Sequence, residues 1–191
     1  FRKTVAQRFP EQGAELNRLL DEKLSRLRSM HLNASKEKQF HLESQILPGI
    51  AAYETLQTVM PKDEALQTVH GYVAEHAQTM RKTILKLLRV PGIYRLPPVL
   101  FSKLMPKFYG ETAGFAATEY QTSGGVWRID MTKCPYHDTC VEHGCPELCP
   151  CFCDSDDIAY DDLHPKLVWH RTKTLGRGNE CCDFCLKLAG K

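Results

Sequence analysis

The segment KLVWHRTKTLGRGNECCDFCLKL, residues 166–188, decides the fold. From Lys166 to Thr174 large apolar and polar side chains alternate, as they do along a half-buried strand. Leu167, Trp169 and Arg171 share one face, and Val168, His170, Thr172 and Thr174 the other. The run from Leu175 to Glu180 then reads as a turn, because Gly176, Gly178 and Asn179 supply the positive-φ positions a turn needs. A second strand follows at Cys181–Leu188, with Asp183 and Cys185 opposite in facing to Cys182 and Phe184. The two strands predict an antiparallel hairpin. Periodicity alone does not say which face turns inward.

Moving upstream, Val126–Met131 alternates as a third strand after the turn signal Ser123-Gly124-Gly125, with Trp127, Ile129 and Met131 on one side. Residues 91–115 are punctuated by Pro91, Pro97, Pro98 and Pro106 and rich in aromatic side chains. They predict a short helix at Val99–Met105 and then a connector that packs between the two halves of the chain. Before residue 90 the period changes to that of helices. Leu16, Leu19, Leu20, Leu24 and Leu27 recur at three- and four-residue steps. A second helix starts after Ser35 as N-cap and is interrupted at Pro48-Gly49. Another begins at Pro61 and runs through Leu66, Val69, Val73, Ala77, Met80, Ile84 and Leu88 to Pro91-Gly92, despite Gly71. His31, His41, His70 and His76 read as ordinary helix side chains without a role.

The fold class is therefore α+β: a helical amino-terminal half packed on a small antiparallel sheet in a cysteine-rich carboxyl-terminal half. Residues 1–110 form the helical scaffold and 111–191 the cysteine-rich α/β catalytic region, as two units or as a single compact domain. A chain of 191 residues is long enough for a substantial core. A balance of 25 basic against 23 acidic residues gives no electrostatic reason to expect nucleic acid or an anionic membrane as partner. No apolar run of transmembrane length occurs. An odd cysteine count without an export signal points to a reducing cytoplasm rather than to disulfides.

All nine cysteines lie between Cys134 and Cys185. Inert buried cysteines would be scattered, so the concentration points to chemistry or metal. Zinc sites favour paired C-x₂-C knuckles, and only Cys182-x₂-Cys185 resembles half of one. No cofactor is expected, with a structural metal as the alternative. Cys153 and Asp156 are i,i+3 neighbours on a helical turn, and Glu147 lies just upstream. A thiolate becomes a nucleophile when a helix N-terminus or a cation lowers its pKa. Most of Asp154, Asp156, Asp157, Asp161 and Asp162 form a solvated acidic loop; one or two facing inward would suit a cationic, amidine-like group. Arg171 would suit a carboxylate through its fork of donors.

Cys134-Pro135-Tyr136, Pro146-Glu147-Leu148, Phe152-Cys153-x-x-Asp156, Arg171-Thr172-Lys173-Thr174-Leu175-Gly176 and Cys182-Asp183-Phe184 occur in this order. The series resembles the L-2-amino-thiazoline-4-carboxylic acid hydrolase family over roughly residues 125–188. The resemblance implies hydrolytic opening of a 2-aminothiazoline ring to N-carbamoyl-L-cysteine. It makes Cys153, Asp156, Glu147, Cys182 and Asp183 the catalytic candidates, and Arg171, Thr174 and Cys134 the substrate-binding ones. Water activated by an acid, or attack by Cys153 or Cys182, would open the ring. The implied partner is a small molecule, with a homo-oligomer as the remaining association. The rival classes are a non-catalytic ligand-binding domain, similar in pattern to the 4-vinyl reductase type, and a metal-binding cysteine-rich module.

Overall fold

A computed structural model describes residues 1–122 and 124–190. Ser123 of the expected turn lies outside the described residues. The amino-terminal part is helical throughout, with α1 (Arg2–Arg8), α2 (Gly13–Met30), α3 (Lys36–His41), α4 (Leu47–Leu56) and α5 (Lys62–Leu88). Helix α2 buries Leu16, Leu20 and Leu27 as its period requires. Ser35 caps α3 by accepting the Lys38 N–H. Pro48 does not interrupt the helix that follows. It stands at the start of α4 in backbone that is helical on both sides, and the register change just before it accommodates the missing N–H. The irregularity falls one turn earlier, as a π-helical stretch at Leu42–Ile46. Helix α4 is apolar all round and is buried on all sides, with Ile50, Ala51, Ala52, Tyr53 and Leu56 at 1% exposure or less. It is the axis around which α2 and α5 pack.

The expected short helix is a longer one, α6 (Pro97–Phe108), because Pro97 and Pro98 occupy a first turn that tolerates them. Four strands follow: β1 (Ala116–Glu119), β2 (Val126–Lys133), β3 (Leu167–His170) and β4 (Cys182–Leu188). They form one antiparallel sheet in the order β1-β2-β4-β3. Strand β1 has no sequence signature, since its AATE pattern is an exposed edge. The β3–β4 hairpin pairs Trp169 with Leu186 and His170 with Cys185. Strand β3 stops at His170, short of the expected Thr174. Beyond it, Asp183 on β4 accepts the Thr172 and Lys173 amides at 2.8 and 2.6 Å, so a carboxylate replaces the ladder partners. Helices α7 (Pro135–Glu142) and α8 (Cys149–Tyr160) connect β2 to β3.

Two apolar interiors result. One lies between the sheet and α6, built from Phe115, Trp127, Ile129, Met131, Trp169, Cys182 and Leu186. The other lies among the helices, where Cys140, Cys145, Cys149 and Cys151 pack against the leucines of α2 and α4. Apolar packing therefore crosses residue 110, and several cysteines serve as the small buried hydrophobes that the type usually provides. No helix among the described residues is long and apolar enough to cross a membrane.

Candidate active site

Helix α8 opens Cys149-Pro150, and the helical rise brings Cys153 and Asp156 onto one face toward the sheet. Directly after β3, Arg171 continues the inward face of Leu167 and Trp169. Between these elements lies a cavity of about 180 Å³. That equals the liquid volume of about six waters, enough for a small molecule. Five of the candidates line it together: Cys134, Cys153, Asp156, Arg171 and Cys182. The remaining wall is aromatic and sulfur-rich, with Tyr109, Tyr136, Tyr160, Trp127, Trp169, Phe184, Met105 and Met131. The inward face of the hairpin is thus the one carrying Trp169, Arg171, Cys182 and Phe184.

Arg171 is the structural centre of the site. Its side chain is 1% exposed. Nη1 donates to Asp156 Oδ2 at 3.2 Å, and Nη2 donates to the Cys153 carbonyl at 2.7 Å and to Asp157. Its guanidinium lies 5.2 Å from the Phe184 ring centroid. Asp157 also accepts the Trp169 Nε1–H at 2.8 Å. Burial opposes the guanidinium charge, but Asp156 and Asp157 outweigh it and raise the Arg171 pKa. A buried cation so compensated is a fixed element of the site.

Asp156 behaves differently. Burial pushes its carboxyl up to about 6, although Arg171 pulls the other way. The side chain keeps 38% of its accessibility, but that surface is cavity wall rather than outer surface. The group is a carboxylate near neutrality and holds a proton more readily than a surface aspartate. The thiols move in the opposite sense from activation. Cys153 is raised by its contact with the Cys149 sulfur and by burial. Burial raises Cys134, against two backbone N–H groups at the start of α7. Cys182 is pushed up to about 11 by burial, although its Sγ accepts the Leu175 N–H at 3.2 Å. All three are neutral thiols at pH 7.

Three candidates lie elsewhere. The 3₁₀ turn Pro146–Leu148 directs Glu147 to Tyr53 and Lys62, at 2.7 and 2.9 Å. Asp183 is committed to Thr172 and Lys173 on the other side of β4. Thr174 is buried but is not part of the cavity wall, and its hydroxyl has no hydrogen-bond partner.

Several cavity residues had no assignment from sequence. Tyr109, Tyr136 and Tyr160 all have raised pKa values, from burial first. Behind Tyr136 stands His41, which is 2% exposed and far from an idle helix side chain. Its Nε2 meets the Phe108 carbonyl at 2.7 Å and must donate to it. Nδ1 is then the acceptor for the Tyr136 hydroxyl at 3.2 Å. Burial lowers the His41 pKa, which keeps that neutral tautomer. The signals available were Tyr136 within the Cys134-Pro135-Tyr136 motif and Asp157 beside Asp156. The placement of His41 depends on three elements meeting and has no local signature.

The cavity thiols do not converge as a metal-ligand set. Among the described residues, the one converging group of ligands is His31, Glu142 and His143, none of which lines the cavity.

Comparison with curated proteins and with solved structures gives no match. A family model described as L-2-amino-thiazoline-4-carboxylic acid hydrolase matches residues 39–186, from α3 to near the end of β4, a span that holds every residue lining the cavity. With well over half its length matched, the chain belongs to the L-2-amino-thiazoline-4-carboxylic acid hydrolase family.

Proposed function

We propose that the cavity hydrolyses 2-aminothiazoline-4-carboxylate to N-carbamoyl-L-cysteine, with Asp156 as general base. The observation that carries this reading is one carboxyl, pushed up to about 6, in an aromatic cavity beside a buried arginine. A general base works best when its pKa lies near the operating pH. A carboxylate there also suits the amidine-like end of the substrate. The free donors of Arg171 suit the substrate carboxylate, since only one Nη1 hydrogen and both Nη2 hydrogens are engaged within the protein. The soft wall of Met105, Met131 and the thiols accommodates the ring sulfur.

Asp156 takes a proton from water as the oxygen bonds to the ring carbon between sulfur and nitrogen. The tetrahedral intermediate collapses to a carbonyl as its hydroxyl proton passes to the ring nitrogen, and the carbon–sulfur bond breaks. Sulfur leaves as a thiolate with an ordinary pKa of about 8.5 and takes up the proton held by Asp156. One water is consumed and one thiol appears. Direct attack by water is favoured over attack by Cys153, because every cavity thiol has a raised pKa and Cys153 has the Cys149 sulfur against it.

The test is turnover of 2-aminothiazoline-4-carboxylate with thiol release, in wild type, Asp156→Asn, Cys153→Ala and Cys182→Ala. Loss of turnover in Asp156→Asn with retention in both cysteine variants supports the reading. Full activity in Asp156→Asn sinks it. Tight thiazoline binding without turnover in wild type would make the site a ligand-binding one.

A further inference from the structure

We infer that His31, Glu142 and His143 bind one divalent transition-metal ion, of the zinc or cobalt kind, at a site separate from the cavity. His31 caps the carboxyl end of α2 and His143 that of α7, so residues 112 apart in sequence meet at one point. Their Nε2 atoms are 2.9 Å apart, and one ligand atom from each of the three residues lies within 4.8 Å of the others. Metal–nitrogen bonds of about 2.0–2.1 Å in a tetrahedral arrangement put two nitrogens roughly 3.3 Å apart. The rings therefore need only a small separation to admit an ion.

The electrostatic setting is that of a cation site. The carboxyl-terminal ends of α2 and α7, capped by His31 and His143, bring the negative ends of two helix dipoles to the same place. Arg26, the nearby cation, is already bound to Glu54 at 3.0 Å, and Lys23 pairs with the same carboxylate at 3.2 Å. Neither cation is free to take the place of a metal. His31 is buried, His143 half-buried and Glu142 exposed, so the set is anchored inside and open on its outer side. Two imidazoles and a carboxylate are a common zinc donor set, with water in the fourth position. A simple imidazole–imidazole hydrogen bond explains the two histidines but not the converging carboxylate. At its other end α7 carries Cys134 and Tyr136 to the cavity. The ion would hold that helix to α2.

The experiment is a titration of the tag-free, reduced, chelator-stripped protein with Co²⁺ alone, read by visible absorption and metal content. The expected result is one Co²⁺ per chain with ligand-field bands and no thiolate-to-cobalt charge-transfer band. Metal at about a hundredfold excess over Kd should raise Tm by roughly 5–10 °C. His143→Ala and the exposed Glu142→Gln should each weaken binding at least tenfold. Glu142→Gln removes no buried packing, so it decides the matter if His143→Ala does not fold. Unchanged binding in Glu142→Gln, a charge-transfer band from thiolate ligation, or no binding at micromolar Co²⁺ would overturn the inference.

Discussion

Replacing Asp156 by Asn separates the chemistry from the architecture. The amide keeps the size of the side chain and still offers an oxygen to Arg171 Nη1, now 3.2 Å away. It removes the proton acceptor. General acid–base groups contribute about 10²–10⁴ in rate, so kcat should fall at least a hundredfold. Stability should move the other way. The folded protein raises the Asp156 pKa from 3.8 to about 6, so folding takes up a proton between those values. Wild type therefore loses stability as pH rises through that window, and the cost is complete above about 6. The displacement corresponds to ~3 kcal/mol. The accessible 38% of the side chain faces the cavity, where water screens the charge and reduces this to ~1–2 kcal/mol. Asp156→Asn should thus match wild type in Tm near pH 4 and exceed it at pH 8. Paired denaturation scans and thiol-release kinetics measure both effects. A variant within tenfold of wild-type kcat, or one less stable than wild type at pH 8, would refute the reasoning.

Wild-type kcat/KM should rise with pH along a limb centred near 6, set by Asp156, and a flat profile between pH 5 and 7 would remove it as base. Asp183→Ala should loosen the segment that positions Arg171. In Asp183 burial opposes ionisation, but Thr172 and the Lys173 amide outweigh it and lower the pKa. Its stabilisation is therefore present above the usual aspartate range and lost as pH falls through the folded value, so Tm of wild type and variant should converge in acid. Gly49→Ala would place a Cβ 2.6 Å from Phe152 Cζ. Overpacking should cost ~1–3 kcal/mol and raise KM, because Phe152 also lines the cavity. Tyr136→Phe leaves His41 Nδ1 buried without its donor. Urea denaturation should show a loss of ~1–3 kcal/mol.

Strands were legible where one face is dry. Trp127, Ile129 and Met131 alternate against solvent-facing partners because the sheet packs on helices from one side only. Strand β1 was hidden because neither of its faces is buried. The end of β3 was hidden because the competing acceptor, Asp183, comes from 11 residues further on. In the site, Cys153-x-x-Asp156 was readable from helical spacing. Glu147 was misleading, since a single 3₁₀ turn sends it to the opposite side, toward Lys62. His41 could not be read, because its partners Phe108 and Tyr136 lie 67 and 95 residues away.

The most direct test of the central claim is turnover of 2-aminothiazoline-4-carboxylate by reduced wild-type protein, followed as free thiol and as N-carbamoyl-L-cysteine. One thiol per substrate consumed, with both products rising together, is the predicted result. Well-folded, reduced protein that binds the substrate and releases no thiol would contradict the account.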